Sequence, residues 1–114
     1  RPADAFDPAA KYHVPGNTPY TRYFLARIYQ FQFQRAACEQ MGWKGPLHRC
    51  SVYGQKEVGR KFNAMMELGA SQPWPQTLAV FTNSSKTDAS AVAAYFKPLD
   101  AWLTQQNKGE RCGW

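Results

Sequence analysis

Apolar positions repeat at helical spacing through most of the chain, and no stretch alternates strictly as a half-buried strand does. Residues 11 to 14 look extended, and Pro15-Gly16-Asn17 reads as a turn. Thr18 then fits an N-cap, and Pro19 the first helical position, where a missing N–H is no loss. A long helix is predicted from Pro19 to Met41, stopped by Gly42. It is apolar on more than one side. Phe24, Ile28 and Phe31 form one stripe, and Leu25, Tyr29 and Phe33 another. A helix of that kind belongs in a large core.

Ser51 is the expected cap of a second helix reaching Leu68, ended by Gly69. Pro73-Trp74-Pro75 breaks the chain before a short helix over 75–82. Asp88 or Ser90 opens a last helix carrying Val92, Tyr95, Phe96, Leu99, Trp102 and Leu103 at helical spacing, with a kink expected at Pro98. The fold class is all-α. A chain of 114 residues with three other short helices cannot bury the long one by itself, so it reads as one segment, residues 1 to 114, of something bigger. It begins Arg-Pro-Ala-Asp with no initiator Met, which suggests a mature product, a trimmed chain or a proteolytic piece.

Composition narrows the classes. Apolar residues make up 44% and aromatics 15%, too much for a disordered chain. Lys plus Arg exceed Asp plus Glu by 14 to 8. That balance would suit an anionic partner, but Arg22, Arg35, Lys44, Arg49, Lys56 and Arg60 are scattered rather than gathered into a block. No nucleic-acid-binding motif accompanies them. No apolar run is long enough to cross a membrane, and no signal peptide is present. Cys38 and Cys50 flank a loop between two helical patterns. They either bridge, which would imply an oxidising compartment, or stay as two buried thiols. Cys112 is left over near the end of the chain.

The candidate chemistry sits at the start of the long helix. Lys11 and His13, two apart in an extended segment, would point the same way. Tyr20 and Tyr23, three apart on a helix, would share a face. Lys11 suits a carboxylate, with Tyr20 as a further hydrogen-bond donor to it. Tyr23 suits a developing oxyanion. Arg22 points about 100° away from Tyr23 and suits a separate anion. No nucleophile, general base or metal motif accompanies them. The two histidines, His13 and His48, are far apart, and neither His-Glu-x-x-His nor Cys-x-x-Cys occurs. On spacing alone Lys11, His13, Tyr20 and Tyr23 read more readily as a surface Lys, a satisfied His and two packed Tyr at a helix start.

A resemblance changes that balance. Phe6 to Pro15, then Pro19-Tyr20-Thr21-Arg22-Tyr23-Phe24, then Gln30-Phe31-Gln32-Phe33, resemble the C-terminal part of peptidase family M2. These are the dipeptidyl carboxypeptidases related to angiotensin-converting enzyme. Gly45-Pro46-Leu47-His48-Arg49-Cys50, Lys56-Glu57-Val58-Gly59, Pro73-Trp74-Pro75 and Tyr95-Phe96-Lys97-Pro98-Leu99 continue the match over nearly the whole chain.

The resemblance implies a large, mostly helical zinc enzyme that removes dipeptides from peptide C-termini. Its zinc ligands and general base would lie upstream, so this chain is expected to hold no metal and to be inactive alone. Lys11 and Tyr20 would bind the substrate's terminal carboxylate. His13 would contact the substrate backbone, and Tyr23 the oxyanion. Arg22 would bind chloride. Cys38 and Cys50 match the family's last disulfide.

The implied partners are the upstream part of the same enzyme and peptides with a free C-terminus. The implied location is secreted, periplasmic or extracellular. One departure stands out: Arg27 occupies a position where family members carry an aromatic. It is expected either to shift preference toward acidic terminal residues or to point elsewhere. A free-standing helical peptide-binding module and a basic nucleic-acid binder are the competing readings.

Overall fold

A computed structural model describes residues 2–4, 11–111 and 113. Four α-helices run in order: α1 (Arg22–Gln40), α2 (Lys56–Glu67), α3 (Trp74–Thr82) and α4 (Ser90–Gln106). A 3₁₀ turn, Leu47–Arg49, lies between α1 and α2. Among the described residues there is no strand, so the fold is all-α, as the periodicity predicts. The Phe6–Ala10 part of the family motif and Cys112 lie outside the described residues.

Three boundaries differ from the sequence reading. The long helix starts at Arg22 rather than Pro19. The Thr18 carbonyl accepts from Tyr20 N–H at 2.7 Å, so it does not start the helical ladder. That role falls to Thr21, whose carbonyl accepts from Phe24 and Leu25 N–H. The second helix starts at Lys56, not after Ser51. Gly54 at φ +75° turns the chain left-handed just ahead of it, and Ser51 Oγ caps only the Tyr53 N–H. The segment 11–14 is coiled rather than extended, with Val14 N–H bonded to Lys11 O and Gly16 N–H to Tyr12 O. The stops are as read: Gly42 and Gly69 take φ +72° and +52° just after their helices. Helix α4 continues through Pro98.

The core lies where the C-terminal half of α1 meets α2 and α3. Ala36, Ala37, Val58, Met65 and Phe81 are buried together, with Phe33 and Phe62 packed against them. Phe33, Phe62 and Phe81 meet edge to face with ring centroids 5.2–6.0 Å apart. Cys38 is bonded to Cys50, with Cα atoms 6.2 Å apart. This ties the 3₁₀ turn to the end of α1.

Helix α4 packs on another side of α1, through Phe31 against Tyr95 and Phe96. A polar latch secures its start. Buried Gln32 donates to Lys86 O and accepts from Asp88 N–H. Arg35 donates to Asp88 Oδ2 at 2.5 Å and to Ser90 Oγ at 2.9 Å. The Ser90 side chain, then the Arg35 guanidinium, hold the Asp88 carboxyl far below the usual carboxylate range.

The packing stops there. The radius of gyration is 19.4 Å, against about 13 Å for a compact domain of this length. The accessible surface is 9421 Å², against about 6,300 Å² expected for a folded monomer of this mass. Phe24, Leu25, Trp74, Leu99 and Trp102 are all exposed.

Candidate functional site

Residues 11 to 23 fold into consecutive turns that lead into α1. Thr18 N–H bonds back to His13 O at 2.9 Å, and Asn17 takes φ +50° to close the loop. Gly16 is required by a close approach: a Cβ there would lie 2.8 Å from Tyr12 O, a backbone atom already accepting from Gly16 N–H. The result is a compact elbow whose aromatic side chains meet.

Four rings run in contact across this elbow. Tyr12 and His13 have centroids 4.2 Å apart, His13 and Tyr20 4.2 Å, and Tyr20 and Tyr23 5.0 Å, the last pair edge to face. Thus His13, Tyr20 and Tyr23, placed together by sequence reasoning, do come together. The route differs: Tyr20 precedes α1 rather than lying on it, and turns rather than an extended strand carry His13 to the tyrosines. Lys11 is exposed at the head of the elbow. Tyr12, which sequence reasoning passed over, closes the far end of the run. Its position beside His13 was the only signal for it.

Arg22 faces elsewhere, as the helical angle predicts. It lines an open apolar groove of about 810 Å³ between α1, α2 and α3, with Leu25, Tyr29, Met66 and Trp74. On its wall, the Thr77 hydroxyl is buried with no hydrogen-bond partner. Tyr29 O–H is bonded to Thr87 Oγ1 at 2.8 Å. Sequence reasoning saw the apolar stripe of α1 but not that α2 and α3 would leave this side of it uncovered.

His13 stacks in the elbow, whereas His48 lies in the 3₁₀ turn beside Tyr95, with ring centroids 6.4 Å apart. Among the described residues no three His, Cys, Asp or Glu side chains come together. No helix among the described residues is long and apolar enough to cross a membrane.

Comparison with known proteins identifies the family. The peptidase M2 profile, described as angiotensin-converting enzyme, matches residues 1–114. Angiotensin-converting enzyme of Bos taurus is 47% identical over 116 aligned residues, covering 100% of this chain and 9% of that protein. The Sus scrofa enzyme is 49% identical over 111 residues, covering 96% of this chain and 8% of its own length. The angiotensin-converting enzyme of the leech Theromyzon tessulatum is 48% identical over 97 residues, covering 85% and 16%. The chain therefore spans less than a tenth of the Bos taurus and Sus scrofa enzymes it matches. A full-length profile match and near-half identity carry one conclusion: the chain belongs to the peptidase M2 family.

Proposed function

We propose that this chain supplies the substrate-end contacts of a zinc-dependent peptidyl-dipeptidase, an enzyme that removes dipeptides from free peptide C-termini. The observation that carries the reading is the contiguous His13, Tyr20 and Tyr23 run, in a chain matched to the M2 family over its whole length.

Lys11 and Tyr20 hold the terminal carboxylate, the lysine through charge and the phenol through a hydrogen bond. His13 bonds to the substrate backbone near the scissile bond. The Tyr23 O–H donates to the carbonyl oxygen as negative charge grows on it. Mutual packing of the Tyr20 and Tyr23 rings holds both phenols in place before substrate arrives, which is what makes an oxyanion donor effective. Arg22 takes chloride. Zinc is assigned to residues outside this chain, in keeping with the lack of a gathered ligand set among the described residues, and on this reading the isolated chain is inactive.

The rest of the same protein is the partner. Tyr20 and Tyr23 are more than half exposed here, and a carboxylate–lysine contact gains strength only when water is partly excluded. The bare apolar groove supports a covering by other parts of the same domain, and counts against a free-standing module. The Cys38–Cys50 bridge suits an oxidising location, secreted, periplasmic or extracellular.

Tyr23→Phe in the full-length protein tests the reading. It should lower kcat about 100- to 1000-fold, as loss of one oxyanion donor does, with little change in KM. Steady-state hydrolysis of a free-carboxylate peptide measures this, and an unchanged kcat would sink the oxyanion role.

A further inference from the structure

Tyr12 carries none of the substrate contacts, yet the turn ahead of α1 is built around it. Its ring centroid lies 4.2 Å from that of His13, and Tyr20 lies at the same distance. The interplanar angles are 33° and 38°, so both phenol rings lean over the imidazole rather than meeting it edge on. At that distance one face of an imidazole has room for one six-membered ring. The two tyrosines therefore cover its two faces and leave the ring edge, where the nitrogens lie, open.

The backbone fixes Tyr12 in this seat. Its carbonyl accepts from Gly16 N–H at 2.8 Å. A Cβ on Gly16 would meet Tyr12 O at 2.8 Å and the Tyr12 ring at 3.7 Å, so the bare glycine lets the turn close beside the ring. The His13 carbonyl is held in turn by Thr18 N–H at 2.9 Å. Tyr12 is nevertheless 71% exposed, so its ring gains little by burial. Its place is explained by the neighbour it covers.

From this arrangement we infer that Tyr12 is a positioning residue: with Tyr20 it holds the His13 imidazole in one plane, its edge presented to the substrate backbone. The inference rests on the assignment of His13 as a substrate contact. Imidazole nitrogens donate and accept in the plane of the ring, so rotation of the ring spoils the hydrogen bond. Rings packed on both faces remove that rotation before substrate arrives, and less side-chain freedom is lost on binding. Tyr20 covers one face only, and Tyr12 supplies the other.

The experiment measures hydrolysis of a free-carboxylate peptide by the full-length protein. Tyr12→Leu should fold as wild type does, because the side chain is exposed. It should lower kcat/KM about threefold to tenfold, the scale of one side chain's freedom. Tyr12→Phe, which keeps the ring and loses only the hydroxyl, should recover most of that loss. In a His13→Ala background, Tyr12→Leu should change kcat/KM by less than about twofold, since no imidazole is left to position. A role in shaping the elbow would persist in that background.

Three results overturn the inference: no loss from Tyr12→Leu when His13 is present, an equal loss when it is absent, or a loss that Tyr12→Phe does not relieve. His13→Ala alone separates the two levels. If it leaves kcat/KM unchanged, the His13 contact is refuted and the Tyr12 inference falls with it. If it lowers kcat/KM while Tyr12→Leu does not, only the Tyr12 inference fails.

Discussion

The N-terminal half of α1 is the more apolar of the two, yet it is the barer. From Phe31 to Cys38 the helix is clamped on several sides: Phe33 by Phe62 and Phe81, Phe31 by α4, and Cys38 by its disulfide. From Tyr23 to Leu25 three consecutive large side chains stand bare, Phe24 at 68% exposure. Since the barer half is the more apolar one, the difference lies in what this chain can reach. The packed half is stabilised within the chain. The bare half, which carries the candidate site, waits on surface from the rest of the protein. A cleft built between separate parts of a protein has this form: each part brings side chains, and neither closes the site by itself.

The largest test of that contrast pairs Phe81→Ala with Phe24→Ala. Phe81 is 2% exposed, so its loss should cost about 3–5 kcal/mol in the isolated chain and in the full-length protein alike. Phe24→Ala should cost almost nothing in the isolated chain, yet a comparable amount in the full-length protein if that half is an interface. Urea denaturation of both forms measures the four values. In the same isolated chain, sedimentation should show self-association through the exposed patch, weakened by Phe24→Ser. A monodisperse monomer, or a harmless Phe24→Ala in the full-length protein, would break the contrast.

A somewhat smaller effect is expected from the bridge. Reducing Cys38–Cys50, or replacing both with Ala, should lower stability by about 3 kcal/mol, the entropy released when a loop of that size is opened. The loss should be confined to the packed half. Hydrogen exchange should quicken in residues 47–50 and at the end of α1, while Tyr23 to Leu25 exchange as before. Equal quickening in both halves would mean that α1 responds as one unit.

Sequence reasoning read the packed half well and the elbow partly. Gly42, Gly69 and the Pro73-Trp74-Pro75 break mark element ends because their backbone needs are local: positive φ for the glycines, and a missing N–H for the prolines. The start of α1 was misplaced because Pro19 is a sound first helical residue taken alone. What moved the start was a bond within the preceding turns, from Tyr20 N–H to Thr18 O. His13, Tyr20 and Tyr23 were grouped correctly through an extended segment that is in fact coiled. The role of Tyr12 was illegible, because a ring stacked on its own chain neighbour has no spacing signature. The Gln32, Arg35 and Asp88 latch was hidden for another reason: its partners are more than fifty residues apart.

That latch gives the smallest effect, and its sign is fixed. The Asp88 carboxyl is depressed by the Ser90 side chain and then by Arg35, so the folded state holds fewer protons there than the unfolded chain. Its contribution is fully present above the unfolded value of about 4 and is lost as pH falls below that. Between about pH 5 and 8 it should add no pH dependence at all. Arg35 and Asp88 are both partly exposed, so solvent screening keeps the contribution small. Asp88→Asn should make unfolding less steep with pH below about 4 than in wild type, and should loosen the first turn of α4. Amide exchange at Val92, whose N–H bonds to Ala89 O, reads that turn directly. Because Arg35 lies in the packed half of α1, the change should reach α4 and leave the elbow rings untouched. A matching change at Tyr23 would show that the packed half transmits strain to the site, and the two halves would then have to be treated as coupled.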